Sequence, residues 1–213
     1  MPTIETAKSW YPENDPVHGF DHILRVYKMA ERLAQSEGAD IEIVRAAALL
    51  HDVDSSQLSE VSSQRKSHHH TAAGFAHILL GSEGWSEDRI EAVAHCIRAH
   101  RFRDDREQPQ TLEAKVLFDA DKLDAIGAIG AVRAIAYAVL AKQQLHAKPS
   151  EQFLQIGEKE TGEPHTPYHE HLFKLSKLKE RMLTSSGRLI AEQRHQFLEN
   201  FFAQWQAELR AER

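Results

Sequence analysis

Ala46-Ala47-Ala48-Leu49-Leu50-His51-Asp52 is the stretch on which the reading of this chain turns. An apolar run ends in an imidazole next to a carboxylate. Apolar sequence destined for an interior rarely carries two adjacent ionisable side chains unless something offsets the cost of desolvating them. A divalent cation does so, because it favours a neutral imidazole and an ionised carboxylate together. A plainer reading has His51 capping the end of its helix and Asp52 starting a turn. Taken alone, the dipeptide favours the plainer reading, and the decision falls to the rest of the chain.

Working outward, Asp40 has the character of an N-cap for the helix that carries Ile43, Val44, Ala46, Ala47 and Leu50 and finishes at His51-Asp52. Before it, Ile23, Val26, Tyr27, Ala30, Leu33 and Ala34 recur at helical spacing, which predicts a helix from about His22 to Ser36 stopped by Gly38. Residues 1–16 are expected as an arm, because Pro12 and Pro16 with Asn14 and Asp15 interrupt any helix there.

After the doublet, 54–66 is a Ser- and Gln-rich loop, and His68-His69-His70 opens a helix that Gly81 is expected to stop. Ser86 caps a further helix leading to His100-Arg101-Phe102. Leu112, Val116, Leu117 and Ala120 form a stripe that ends at Asp121. Ile126 to Ala141 is apolar nearly all round, which predicts a buried helix, and Gly127 and Gly130 would let neighbours approach closely. Pro149, Gly157, Gly162, Pro164 and Pro167 mark 146–168 as a long loop. Helices are expected from about Tyr168 to Met182 and from about Ser186 to Leu209, with Leu189, Ile190, Gln193, Phe197, Phe201 and Trp205 as the core-facing stripe of the last. No period-2 alternation is strong enough for a strand. The fold class is therefore all-α: a single domain with a helical core over about 18–145, the loop 146–168, and C-terminal helices over 169–211.

The 213 residues suffice for one large domain with its own core. A net charge of -6 argues against nucleic acid or an anionic membrane surface as the main partner. The single cysteine, Cys96, excludes an intrachain disulfide and lies in an apolar helical pattern as a buried small residue. The first residues lack the pattern of a signal peptide, and no apolar run approaches the roughly 20 residues needed to span a bilayer, so a cytoplasmic location is expected. The compositional anomaly is 14 histidines.

Four residues can now be joined. His22 begins one helix, His51 and Asp52 end the next, and Asp121 ends a later one. Each lies where helix meets loop, so the side chains can converge on one pocket mouth. Two imidazoles and two carboxylates suit Mn, Fe, Co, Ni, Mg or Zn and disfavour copper(I) or an iron–sulfur cluster.

These residues resemble the H…HD…D pattern of the HD-domain superfamily of metal-dependent phosphohydrolases. His22-Ile23-Leu24-Arg25-Val26, the opening stretch, and Asp119-Ala120-Asp121-Lys122-Leu123-Asp124-Ala125-Ile126-Gly127-Ala128-Ile129-Gly130 look like the matching blocks of a subgroup of small bacterial HD phosphohydrolases. The resemblance covers most of the chain, including Thr184 to Glu208. It implies an HD domain with His22, His51, Asp52 and Asp121 as metal ligands, manganese as the metal and a small phosphorylated substrate. The favoured substrate is a nucleotide, with nucleoside triphosphate pyrophosphohydrolase or phosphatase activity. HD enzymes that hydrolyse guanosine tetraphosphate carry a Glu-Asp pair shortly after the doublet; here Ser55 and Ser56 follow, which speaks against that activity.

The chemistry is coherent without the family. A divalent ion with open positions lowers the pKa of bound water and polarises a phosphoryl oxygen. Basic side chains then stabilise charge on the transferring group. Arg25, Lys66, Arg98, Arg101 and Lys122 are the candidates, with Lys66 and Lys122 foremost. Asp54, the carboxylate nearest the doublet, is the candidate general base. His69 and His100 are expected at the pocket's border. His165 and His169 sit beside the long loop, where they could close over a substrate. The expected partner is thus a small phosphorylated molecule, with no nucleic acid, no membrane and a homodimer as an open possibility. Two other classes use the same scaffold: a di-iron HD-type oxygenase, which needs two irons and oxygen, and a non-catalytic nucleotide sensor, which binds without turnover.

Overall fold

The computed structural model describes residues 1–12, 15, 19–53, 68–101 and 107–212, with the backbone alone at 68–70. The described residues form ten α-helices and one 3-10 helix, with no strand among them, as the all-α reading expects. The chain divides into two compact units, Met1–Asp121 with Leu183–Gly187 and Lys122–Met182 with Arg188–Arg213.

The first unit contains α1 (Ile4–Lys8), α2 (Phe20–Glu37), α3 (Ile41–Leu50), α4 (His68–Ser82), α5 (Glu87–Ala99) and all but the last two residues of α6 (Leu112–Leu123). Asp40 caps α3 as expected, its carboxylate accepting from the amides of Glu42 (3.0 Å) and Ile43 (3.2 Å). α3 packs on α2 and α5 and is buried nearly all round: Val44 and Ala46 to Leu50 are within 1% of complete burial. Its charged residues, Glu42 and Arg45, lie in the first half and pair with Arg89 and Glu31 away from the buried run, and the polar chemistry of the other half stands at its end. His51 and Asp52 stand there.

Two expectations for this unit need correction. The N-terminal arm is partly helical: Thr3 caps α1, and Ala7 and Tyr11 are buried. Pro12 follows this helix and does not prevent a turn of helix before it. Gly81 does not stop α4. The stop is Gly84, at φ +80°, where Trp85 N–H reaches Leu80 C=O (3.1 Å) and Gly84 N–H reaches Gly81 C=O (3.1 Å). That is the left-handed glycine closure of a helix.

The second unit holds α7 (Gly127–Leu140), α8 (Glu151–Ile156), α9 (Pro167–Phe173), the 3-10 helix Leu175–Arg181 and most of α10 (Ser185–Leu209). The stretch expected as a loop over 146–168 contains α8, capped by Ser150 and closed by Gly157 at φ +75°. The single helix expected from Tyr168 to Met182 breaks at Lys174 into α9 and the 3-10 helix. α7 is not buried all round, since Val132, Val139 and Leu140 are each more than half exposed. Its small residues Gly127, Gly130, Ala131 and Ala138 face inward instead. At Gly130 a side chain would collide with the Ala125 carbonyl, so close approach does require the glycine. Among the described residues, no single helix is long and apolar enough to cross a membrane.

Candidate metal centre

His51 occupies the C-cap position of α3. Its Nδ1–H donates to the Ala48 carbonyl (2.9 Å), which fixes the tautomer and leaves Nε2 with a free lone pair. That Nε2 is buried and has no hydrogen-bond partner among the described residues. Burial pushes the ring's pKa down to about 4, so the imidazole is neutral at pH 7. A buried unsatisfied acceptor costs about 1–3 kcal/mol, and a bound cation removes that cost.

The neighbours of this lone pair are other ligand types. Asp52 Oδ2 lies 3.8 Å from His51 Nε2 and 3.9 Å from Nε2 of His22, which is buried in the first turn of α2. The same His22 nitrogen is 3.5 Å from Asp121 Oδ1 near the end of α6. Ligand atoms of His22, His51 and Asp52 all fall within 4.8 Å of one another. These separations exceed a hydrogen bond and approach the spacing of two ligands each bonded at about 2.1 Å to one ion. Three helix ends thus bring an N/O donor set to one point, and it fits a divalent cation.

The other oxygen of Asp52 has different company. Oδ1 accepts from Arg101 Nη2 (2.7 Å) and lies 3.5 Å from His100 Nε2. His100 repeats the construction of His51. It is the C-cap of α5, and its Nδ1–H donates to Ile97 C=O (2.5 Å). Arg101 Nε donates to His100 Nε2 (3.2 Å). The ring centroids of His22 and His51 are 5.6 Å apart, and those of His51 and His100 are 5.1 Å apart, both edge to face. Burial opposes ionisation of Asp52, but the imidazoles of His51 and His100 and the Arg101 guanidinium outweigh it and hold the carboxyl well below its usual range.

Of the sequence-predicted residues, the structure brings together His22, His51, Asp52, Asp121, His100 and Arg101. Lys122 is buried and belongs to the other compact unit. Asp54 and Lys66 lie outside the described residues, as does the side chain of His69, whose backbone is in the first turn of α4. Arg98 is engaged elsewhere, by Glu107 (2.7 Å) and Glu91 (2.6 Å). His165 pairs with Glu170 (3.2 Å), and His169 is fully buried against Glu163 (2.9 Å).

Two supporting residues escaped the sequence reading. The buried Tyr11 hydroxyl donates to Leu49 C=O (2.8 Å), tying down the α3 end two residues before His51. Nothing in the arm's sequence signals this. Asp119 is fully buried and accepts from the amides of Leu183 (2.9 Å) and Thr184 (2.8 Å) and from the Thr184 hydroxyl (2.6 Å). A signal existed: two carboxylates two positions apart on a helix point to different sides, so Asp119 and Asp121 could not serve one site.

A family model described as the HD domain matches residues 19–126. YpgQ of Bacillus subtilis is 30% identical over 195 residues, covering 90% of this chain and 84% of YpgQ. The crystal structure of YpgQ in complex with ADP superposes with a TM-score of 0.71 at 28% identity and covers 97% of both chains. An HD-superfamily hydrolase from Bacillus thuringiensis gives a TM-score of 0.68 at 28% identity, covering 98% of this chain and 97% of that one.

Proposed function

Because the chain belongs to the HD-domain family, we propose that it is a metal-dependent phosphohydrolase acting on a nucleotide. The favoured activity is hydrolysis of a nucleoside triphosphate, as a pyrophosphohydrolase or phosphatase, in the cytoplasm. The observation that carries the metal centre is the orphaned Nε2 of His51, aimed at Asp52 Oδ2 with His22 and Asp121 beside it. The nucleotide is supported by YpgQ, which was crystallised with ADP.

In this reading His22, His51, Asp52 and Asp121 hold one divalent ion, with manganese favoured over Mg, Co, Ni, Fe or Zn. Such an ion supplies Lewis acidity to a water nucleophile and neutralises charge on phosphoryl oxygens. The Ala48 carbonyl keeps His51 in the ligating tautomer. Arg101, beside His100, offers guanidinium N–H groups to the phosphoryl oxygens as negative charge accumulates there. Asp54 takes the proton from the attacking water. Lys66 and His69 bind the phosphate tail.

The test is to strip the protein of metal, reload it singly with each ion and assay nucleotides and general phosphoesters. Turnover is expected with Mn(II). Loss of an outer partner of a metal ligand costs about 10–100-fold, so losing the ligand itself in Asp52→Ala should cost at least about 100-fold, with the far-UV circular dichroism unchanged. Full turnover in Asp52→Ala would remove the site assignment. Two irons per chain with oxygen consumption would replace the hydrolase by an oxygenase.

A further inference from the structure

The two oxygens of Asp52 face different chemistry. Oδ2 is directed at His22 and His51. Oδ1 is directed at His100, whose ring is fixed by a backbone carbonyl in the same way as that of His51, with Nε2 3.5 Å away. A carboxylate with an imidazole on each flank is the beginning of a two-ion site bridged by that carboxylate, since such ions sit about 3.5–4 Å apart. The Oδ1 side nevertheless differs in one respect. Arg101 donates to both would-be ligands, through Nη2 to Asp52 Oδ1 (2.7 Å) and through Nε to His100 Nε2 (3.2 Å).

We propose that Arg101 is the built-in cation of the Oδ1 side, so that the centre accepts a single divalent ion, on the Oδ2 side, and no second. This rests on the metal-centre reading above, in which one ion is held, and adds to it the residue that closes the second position. The guanidinium has no accessible neutral form, so it cannot leave its charge behind when a metal approaches. A second dication would have to displace two hydrogen bonds, take the lone pair of His100 and remain close to a fixed positive charge. Arg101 instead supplies the positive charge of the Oδ1 side itself. The arrangement runs against a di-iron oxygenase, which requires both positions.

The experiment counts bound Mn(II) directly. Metal-stripped wild type, Arg101→Gln, Arg101→Lys and the double variant His100→Ala with Arg101→Gln are dialysed to equilibrium against Mn(II) alone. Bound metal is quantified, and its electron paramagnetic resonance spectrum recorded. Wild type and Arg101→Lys are expected to bind one ion per chain with the spectrum of isolated Mn(II). Arg101→Gln is expected to bind two, with a spin-coupled spectrum, and the double variant should return to one. Two ions in wild type overturn the proposal, as does a folded Arg101→Gln that still binds one. If Arg101→Gln fails to fold, Arg101→Ala takes its place with the same two outcomes, two ions upholding the proposal and one overturning it. No ion in wild type overturns the underlying metal-centre reading, a result distinct from either.

Discussion

His51 shows how far one residue can be read from sequence. Cap and metal ligand looked like rival roles, yet the two ring nitrogens divide them. Nδ1 closes α3 on Ala48, and that bond is what leaves Nε2 turned towards Asp52. The sequence pattern located the residue, but only geometry could separate its atoms. Asp119 is the converse case. It sits in the same short acidic motif as Asp121 and serves the backbone at Leu183 and Thr184 instead. The Thr184 hydroxyl in turn caps Gly187 N–H (3.0 Å), and a side chain at Gly187 would collide with the Asp119 carboxylate. Removing Asp119 leaves two amides and a hydroxyl without their acceptor in the interior. Asp119→Ala is expected to lower unfolding stability by about 3 kcal/mol in urea titrations, with Asp119→Asn recovering part of it. A change under about 0.5 kcal/mol would mean that water satisfies this turn and the carboxylate is dispensable.

Helix positions were legible at the scale of elements, while helix faces were not. α10 carries two apolar stripes. The sequence reading chose Leu189, Phe197 and their neighbours, because large residues announce themselves. The structure buries Ala191, Leu198, Phe202 and Ala207 and leaves Leu189 and Phe197 about half exposed or more. Periodicity measures the spacing of apolar residues and does not say which of two stripes a neighbour covers. The segment around α8 was illegible for another reason: its order comes from one side chain. Glu163 accepts from the Ser150 amide (2.7 Å) and hydroxyl (2.6 Å), the Glu160 amide (2.8 Å) and His169 (2.9 Å). Burial opposes its ionisation, but these donors prevail and hold its pKa at about 2. The folded carboxyl therefore binds its proton less readily than the unfolded one. Its contribution is complete above the ordinary carboxylate range near pH 4.5 and is lost as pH falls towards about 2. Glu163→Gln should be less stable than wild type at pH 7, and the gap in urea midpoint should close on acidification through that window. A gap independent of pH would show that the charge of Glu163 is not what orders the loop.

For the whole molecule, the decisive fact is that the proposed ligands come from positions 22, 51, 52 and 121 and meet within one compact unit. The sequence supplied their identities through the family pattern. It did not reveal that residues 183–187 join the same unit, where Asp119 accepts from Leu183 and Thr184 and Glu37 accepts from the Ser186 amide. Ligands so far apart along the chain cannot be held together in the unfolded state, so the ion has high affinity for the native state alone. Binding free energy then becomes folding free energy. Mn(II) at 100 times its dissociation constant should stabilise the protein by about 2.7 kcal/mol, and each further tenfold should add about 1.4 kcal/mol. Thermal melts over a Mn(II) titration should rise accordingly and return to the starting midpoint with excess chelator. Asp52→Ala should show no such rise at the same concentrations. A midpoint that climbed equally in Asp52→Ala would place the stabilising ion elsewhere on the chain and detach metal binding from the helix ends that assemble this centre.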